Sequence, residues 1–350
     1  MKRLNSFLTD ELKGRDAVPD LLRGIAVIKM VLVHILEIFL VTGTFTLILE
    51  SNFFYISGST GPTVFMMVMG YYIAKSKKDN RDGLTRGLML IFGGILLNIL
   101  LNGSLLYHFF IGESDLNPFH YIFAVDILIF AGISLVLIYG VRLTTKFSLI
   151  VLIIMFAAVV LLSDYLPKNY FGTDYLMRYL GAVFFTKEEW SFFPVIPWLV
   201  YPLAGYLFAN FENKIKLSVS QEKGILVIFI LFTLLTIPGV FSGLASLSDY
   251  YHHGSQIIAW NLIFLTGYIV AVKYLNRVAG NNSLFYLIRW IGKNVTPAYV
   301  LQWIIIGNTG TFIYRTQSAE SLLIWFPLII ILVYAGTYIW NKNKSRLIRD

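Results

Sequence analysis

Leu21-Leu-Arg23-Gly-Ile-Ala-Val-Ile-Lys29-Met-Val-Leu-Val-His34-Ile-Leu-Glu37 is apolar enough to cross a bilayer, yet it carries four ionisable side chains. Charge inside a span is costly, so its first reading is a functional site. Arg23 and His34 lie eleven residues apart. At about 100° per residue that is three turns with an offset of roughly 20°, which puts both on one helix face. Glu37 follows His34 by three residues and is expected to touch it on that face. Lys29 points elsewhere. One helix thus presents a cation near one end and a titratable imidazole–carboxylate pair deeper in.

The rest of the chain extends this membrane reading. Of its 350 residues 57% are hydrophobic and only 14% charged, with a mean hydropathy of +0.70. A soluble domain would carry about a quarter charged residues. Ten apolar segments approach bilayer length: 21–41, 53–74, 87–106, 121–141, 147–162, 192–210, 224–241, 257–272, 296–307 and 322–340. The expected fold is therefore all-α, a polytopic membrane protein of about ten spans. Residues 21–340 would form one transmembrane domain. Residues 1–20 mix acids and bases and would form a cytoplasmic leader, read as an amphipathic helix on the membrane surface. Residues 341–350 would be a cytoplasmic tail. The second segment is interrupted by Ser57-Gly-Ser-Thr-Gly-Pro62. That is either a break facing a cavity or a loop before a span that starts at Pro62.

Charge sets orientation. With the N-terminus inside, the inner segments hold 23 Lys and Arg and the outer segments four, Lys29 being the last of the 28. Both termini are expected in the cytoplasm. The net charge of +8 then reflects topology, and no nucleic-acid partner is expected. Cysteine is absent, which removes disulfides and thiolate metal sites. His252 and His253 are adjacent rather than four apart, and no His-Glu-x-x-His stretch exists, so no metal is expected.

Each candidate residue has two readings. Arg23 is a snorkelling anchor or a bidentate phosphate contact. His34 is an interhelical hydrogen bond or a general base whose tautomer Glu37 holds. Asp126, a buried carboxylate of the fourth segment, pairs with Lys29 or Arg23, or tunes the site. Outside, His108, His120, Asp249, His252 and His253 stand among Tyr and Trp. Such a set suits sugar binding and equally suits an ordinary membrane interface.

Arg23-Gly24 with ten residues before His34 resembles the Arg-x10-His motif of the acyltransferase-3 family. Three further stretches are similar to heparan-alpha-glucosaminide N-acetyltransferase and its bacterial relatives. They are Tyr121-Ile-Phe-Ala-Val-Asp126-Ile-Leu-Ile-Phe-Ala-Gly-Ile-Ser-Leu135, Phe193-Pro-Val-Ile-Pro-Trp-Leu-Val-Tyr-Pro-Leu-Ala-Gly-Tyr-Leu207 and Ile291-Gly-Lys293-Asn-Val-Thr-Pro-Ala-Tyr299. Gln302 stands where acyltransferase-3 relatives often carry His.

The resemblance implies a transmembrane acyltransferase in a cell membrane, bacterial and cytoplasmic. Its donor would be cytoplasmic acetyl-CoA or another acyl-CoA, without a metal. Its acceptor would be a hydroxyl or amine of an extracytoplasmic glycan or small molecule. Arg23, Lys75, Lys77, Lys78, Arg289 and Lys293 would meet the CoA phosphates, and His34 with Glu37 would take the acceptor's proton. Membrane lipid is a partner, and a homodimer is left open. The competing class is a proton-coupled secondary transporter with His34, Glu37 and Asp126 as its relay. A membrane scaffold without catalysis is the third.

Overall fold

The structure, a computed structural model, describes residues 12, 14–50, 57, 60–166, 169, 174–214, 217–241, 244, 246–280 and 282–347. Most of the leader and the greater part of the 51–59 stretch fall outside them, so the expected surface helix does too. The described chain is helical throughout its named elements.

The opening stretch folds as α1 (Ala17–Phe39), started by Asp16, whose carboxylate accepts from the Val18 N–H at 3.1 Å. Loop residues 315–317 satisfy its last carbonyls: Arg315 N–H donates to Ile38 O and Gln317 N–H to Phe39 O, both at 2.9 Å. The helices that follow are α2 (Thr42–Glu50), α3 (Pro62–Lys75), α4 (Asn80–Leu101), α5 (Gly103–Phe110), α6 (Pro118–Ile122), α7 (Ile127–Thr144), α8 (Ser148–Tyr165) and α9 (Tyr175–Phe184). The second half holds α10 (Val195–Trp198), α11 (Val200–Phe211), α12 (Val219–Val240), α13 (Leu247–Tyr251), α14 (Ser255–Ala279), α15 (Ser283–Lys293), α16 (Val295–Ile313) and α17 (Leu322–Leu347).

Every expected apolar segment contains one of these helices, with shifted ends. The third span starts at Asn80, seven residues early, because Asp79 caps it through the Arg81 N–H. The sixth is two pieces, because Ile196 is non-helical (φ −106°, ψ 116°). The second starts at Pro62 with proline in its first turn, where the missing N–H costs nothing. The last runs through Leu347, into the stretch expected to be a tail. Among the described residues six helices are long and apolar enough to cross a membrane: α4, α7, α8, α12, α14 and α17. They fit a membrane protein. The others are short or interrupted, carry charge like α1, or hold polar residues like α16.

α1 sits in the middle. Leu22, Ala26 and Met30 enter the main core with Val64, Met67 and Tyr299, while Val27, Val31, Ile35 and Phe39 pack with Ala298, Ile306, Ile329 and Val333. It can be so enclosed because backbones approach closely. A Cβ at Gly24 would overlap the Ile288 carbonyl of α15, and one at Gly292 would overlap the Asp20 carbonyl. Small residues permit such contacts, which substitute for water-driven association inside a bilayer. α3 and α11 meet in the same way through Gly70 and Gly205. The large apolar side chains left outward, such as Phe92 on α4, Ile154 on α8 and Leu235 on α12, suit contact with lipid.

Candidate active site

A cavity of about 720 Å³ opens between α1, α3, α4, α7 and α16, within the roughly 300–1,000 Å³ of small-molecule sites. At one end its walls are Arg15, Arg23, Lys75, Lys78 and Arg86, and at the other Ile127 and Tyr299. Ile127 and Tyr139 both line it and lie twelve residues apart on α7, so it runs about 18 Å along that helix.

Asp20 organises the basic end. It is 0% exposed. Arg15 donates to it through Nε at 2.8 Å and Nη2 at 2.9 Å, and Arg23 through Nη2 at 2.5 Å. Arg23 also lies 5.2 Å over the Tyr72 ring, which fixes its plane. The Asp20 hydrogen bond and charge push the Arg15 pKa up further. Two guanidiniums sharing one carboxylate leave a net positive charge and free N–H groups facing the cavity. Lys75 is held by Glu212 and by Tyr71. Lys78 and Arg86 make no ion pair among the described residues.

The apolar end stops at a buried pair. The Tyr299 hydroxyl donates to Asp126 Oδ2 at 2.5 Å, while Asp126 Oδ1 accepts from the Ile127 N–H at 2.7 Å and so caps α7. Asp126 is positioned from two sides. Asn98 on α4 donates to Ile122 O and Ala124 O, and Val125 exchanges backbone hydrogen bonds with Trp190, Phe192 and Phe193. The expected pairing of Asp126 with Lys29 or Arg23 is therefore corrected. Arg23 is taken by Asp20, Lys29 donates to the Thr60 hydroxyl, and a neutral phenol reaches the carboxylate first.

His34 lies one ring further. It is 8% exposed and stacks on Trp303, centroids 3.9 Å apart at 31°. Trp303 in turn meets Tyr299 edge-on at 6.5 Å. The His34 Nδ1 has no hydrogen-bond partner. Glu37 does not bond to His34, contrary to the expectation from spacing. The charges acting on this half-buried carboxylate are those of Arg315 and Asp126. Arg315 is brought there by the loop that caps α1, at a left-handed φ of 53°. No hydrogen-bonded chain links His34, Glu37 and Asp126 among the described residues, so the transporter relay gains nothing from the geometry.

The remaining expected site residues separate. Arg289 and Lys293 are not walls of the cavity, and Arg289 instead covers the Tyr286 ring at 5.9 Å. α15 packs on α1 through the close backbone approaches at Gly24 and Gly292. His252 and His253 are 2% exposed and hydrogen-bonded at both ring nitrogens. His252 meets Ser248 O and Thr186 O, and His253 meets Tyr250 O and the Tyr201 hydroxyl. They pin the loop between α13 and α14 to the core, and the expected place of both at the acceptor meets ring nitrogens already spent on protein partners. Asp249 pairs with Lys187. His108 pairs with Glu113 at 2.6 Å on the surface, and His120 stacks on Trp190 at 3.8 Å. These last two stay accessible. No group of three metal-ligating side chains occurs among the described residues.

Sequence reasoning missed Arg15, Asp20, Tyr72, Arg86 and Trp303. The Arg15–Asp20 contact straddles a helix start, so no periodic spacing announces it. Arg86 reads as one of several loop cations.

No curated protein and no solved structure matches the chain. A family model, the catalytic region of heparan-alpha-glucosaminide N-acetyltransferase, matches residues 15–235. That stretch is more than half of the chain and holds Arg15, Asp20, Arg23, His34 and Asp126. The chain belongs to the heparan-alpha-glucosaminide N-acetyltransferase catalytic family, whose members are membrane acetyltransferases that in general use acetyl-CoA as donor.

Proposed function

We propose that the protein moves an acetyl group from cytoplasmic acetyl-CoA to an amine or hydroxyl of a glycan or similar acceptor on the far side of the membrane. The observation that carries this reading is the cavity with a basic mouth and an apolar end. Its five mouth cations all come from segments that the 23-to-4 charge bias puts inside. Guanidiniums suit phosphate because their fork matches it bidentately. The apolar length beyond them suits the pantetheine arm and keeps the thioester dry. In this reading the chain crosses the membrane ten times with both termini cytoplasmic, as one transmembrane unit over residues 21–340.

Holding donor and acceptor together removes part of the entropic barrier. His34, with its unpartnered Nδ1, is the proposed base for the acceptor's proton. Glu37 and Arg315 form a charged rim on the acceptor side, with His108 and His120 nearest the outer solvent. The test is transfer by the purified protein in sealed vesicles, with labelled acetyl-CoA on one side and a glucosamine-terminated oligosaccharide on the other. The expected result is acetylated sugar and free CoA in equal amounts. Neither binding nor turnover of acetyl-CoA would reject the reading.

A further inference from the structure

Tyr299 on α16 and Ile127 on α7 close the apolar end of the cavity. The Tyr299 hydroxyl donates to Asp126 Oδ2 at 2.5 Å, and Oδ1 of the same carboxylate accepts from the Ile127 N–H at 2.7 Å. One carboxylate therefore staples the two walls to each other. Trp303, one turn further along α16 and not itself a wall of the cavity, meets the Tyr299 ring edge-on at 6.5 Å and so backs it. Trp303 in turn lies over His34.

A side chain held in this way does not swing aside. Tyr299 is 6% exposed, and packed interiors yield little to an added group. A hydrogen bond to a carboxylate is charge-assisted and about twice as strong as a neutral one. Breaking it would leave Asp126, 8% exposed, short of a partner where a buried charge most needs one. Asp126 cannot follow the ring either. The chain beside it is fixed by the Asn98 amide, which bonds Ile122 O and Ala124 O, and by the backbone bonds of Val125. The end of the cavity is thus a rigid wall.

We propose that Tyr299 sets the acyl-chain length of the donor: its ring, stapled through Asp126 to α7, admits an acetyl group and excludes longer chains. The inference rests on the acetyl-CoA reading of the cavity. With the phosphates at the basic mouth, the linear arm of the donor brings the acyl group to the closed end. An acetyl group finishes there in one methyl. A butyryl group adds two methylenes, which must displace the Tyr299 ring and part it from Asp126. An apolar pocket separates donors that differ by one methylene by about 10–200-fold. A wall that cannot retreat discriminates by clash, so the longer donor is the one penalised.

Tyr299→Ala and Tyr299→Leu test this. Each is assayed with acetyl-CoA and butyryl-CoA as donors and read as the ratio of the two kcat/KM values, with Tm recorded alongside. The ratio cancels any general loss of activity, which a merely structural role would produce. Wild type should favour acetyl over butyryl by at least about 10²-fold. Both variants shorten the side chain and should cut that preference by about 10-fold or more, the Ala variant further than the Leu. A wild-type protein indifferent to chain length would overturn the proposal. So would an unaltered ratio in either folded variant, or loss of the fold in both, which would make Tyr299 structural. If wild type turns over neither donor, the functional reading fails and takes this inference with it. If wild type transfers acetyl and the ratio does not move in the variants, only this inference fails.

Discussion

Two histidine regions of this molecule look alike on paper and differ in the fold. His34 is a lone imidazole inside a helix, and His253 sits in an aromatic loop between α13 and α14. Both are buried. The His253 nitrogens meet Tyr250 O and the Tyr201 hydroxyl at 2.7 Å each, and Asn261 donates to the same hydroxyl at 2.8 Å. At His34 the Nδ1 meets nothing, the ring lies tilted by 31° over Trp303, and a large cavity ends at Tyr299, which Trp303 meets edge-on. Burial alone therefore does not mark a working histidine. Burial with an unspent hydrogen bond near open volume is what singles out His34 as the proposed base, because completed polar networks rigidify whereas an incomplete one has a hydrogen bond left to give.

That contrast breaks most readily at His34. His34→Ala should lower kcat about 10²–10⁴-fold with the protein folded and CoA still bound. Unaltered transfer would remove His34 from the chemistry. The next effect is at the mouth. Arg23→Ala should weaken CoA binding about 10- to 100-fold, the worth of roughly 1.5–3 kcal/mol for a charge-assisted contact. Arg23→Lys should recover only part of it, because ammonium lacks the planar fork. Equilibrium binding with unaltered affinity would reduce Arg23 to a topology anchor.

At the other pole, His253→Phe should leave donor affinity alone and destabilise the fold by about 1–3 kcal/mol through the unpaired Tyr250 carbonyl and Tyr201 hydroxyl. A thermal melt checks this, and loss of turnover at unchanged Tm would contradict it. The smallest effect is at His120. Burial, with the nearby Arg178 charge adding to it, holds this imidazole below its ordinary pKa. The folded chain then binds fewer protons there than the unfolded one. Its contribution to stability is complete above the usual His value of roughly 6.5 and is lost as pH falls below it. Melts across that window should show a slope that His120→Phe flattens, and an equal slope in both proteins would refute it.

The sequence carried some of this and withheld the rest for physical reasons. The Arg23–His34 relation is local, an expectation of helical periodicity inside α1. The Glu37–His34 contact rests on the same periodicity and fails. Spacing says which residues share a face but not which partner from another helix arrives first, and the loop bearing Arg315 reaches Glu37. Asp126 was legible as a buried carboxylate, yet its partner Tyr299 is 173 residues away, beyond any periodic signal. The outer histidines read as an acceptor surface because aromatic, His-rich loops and interfacial loops share one composition. Only the hydrogen bonds of His252 and His253 separate the two. Helix boundaries followed caps such as Asp16 and Asp79, which hydropathy does not register.

The central claim is that the cavity with the basic mouth holds acetyl-CoA with its thioester at the α16 end. The most direct measurement is an experimental structure of the protein with acetyl-CoA bound. The phosphates should lie among Arg15, Arg23, Lys78 and Arg86, and the acetyl carbonyl against Tyr299. Acetyl-CoA seated on the opposite face, among Lys187, Asp249 and His120, would contradict it.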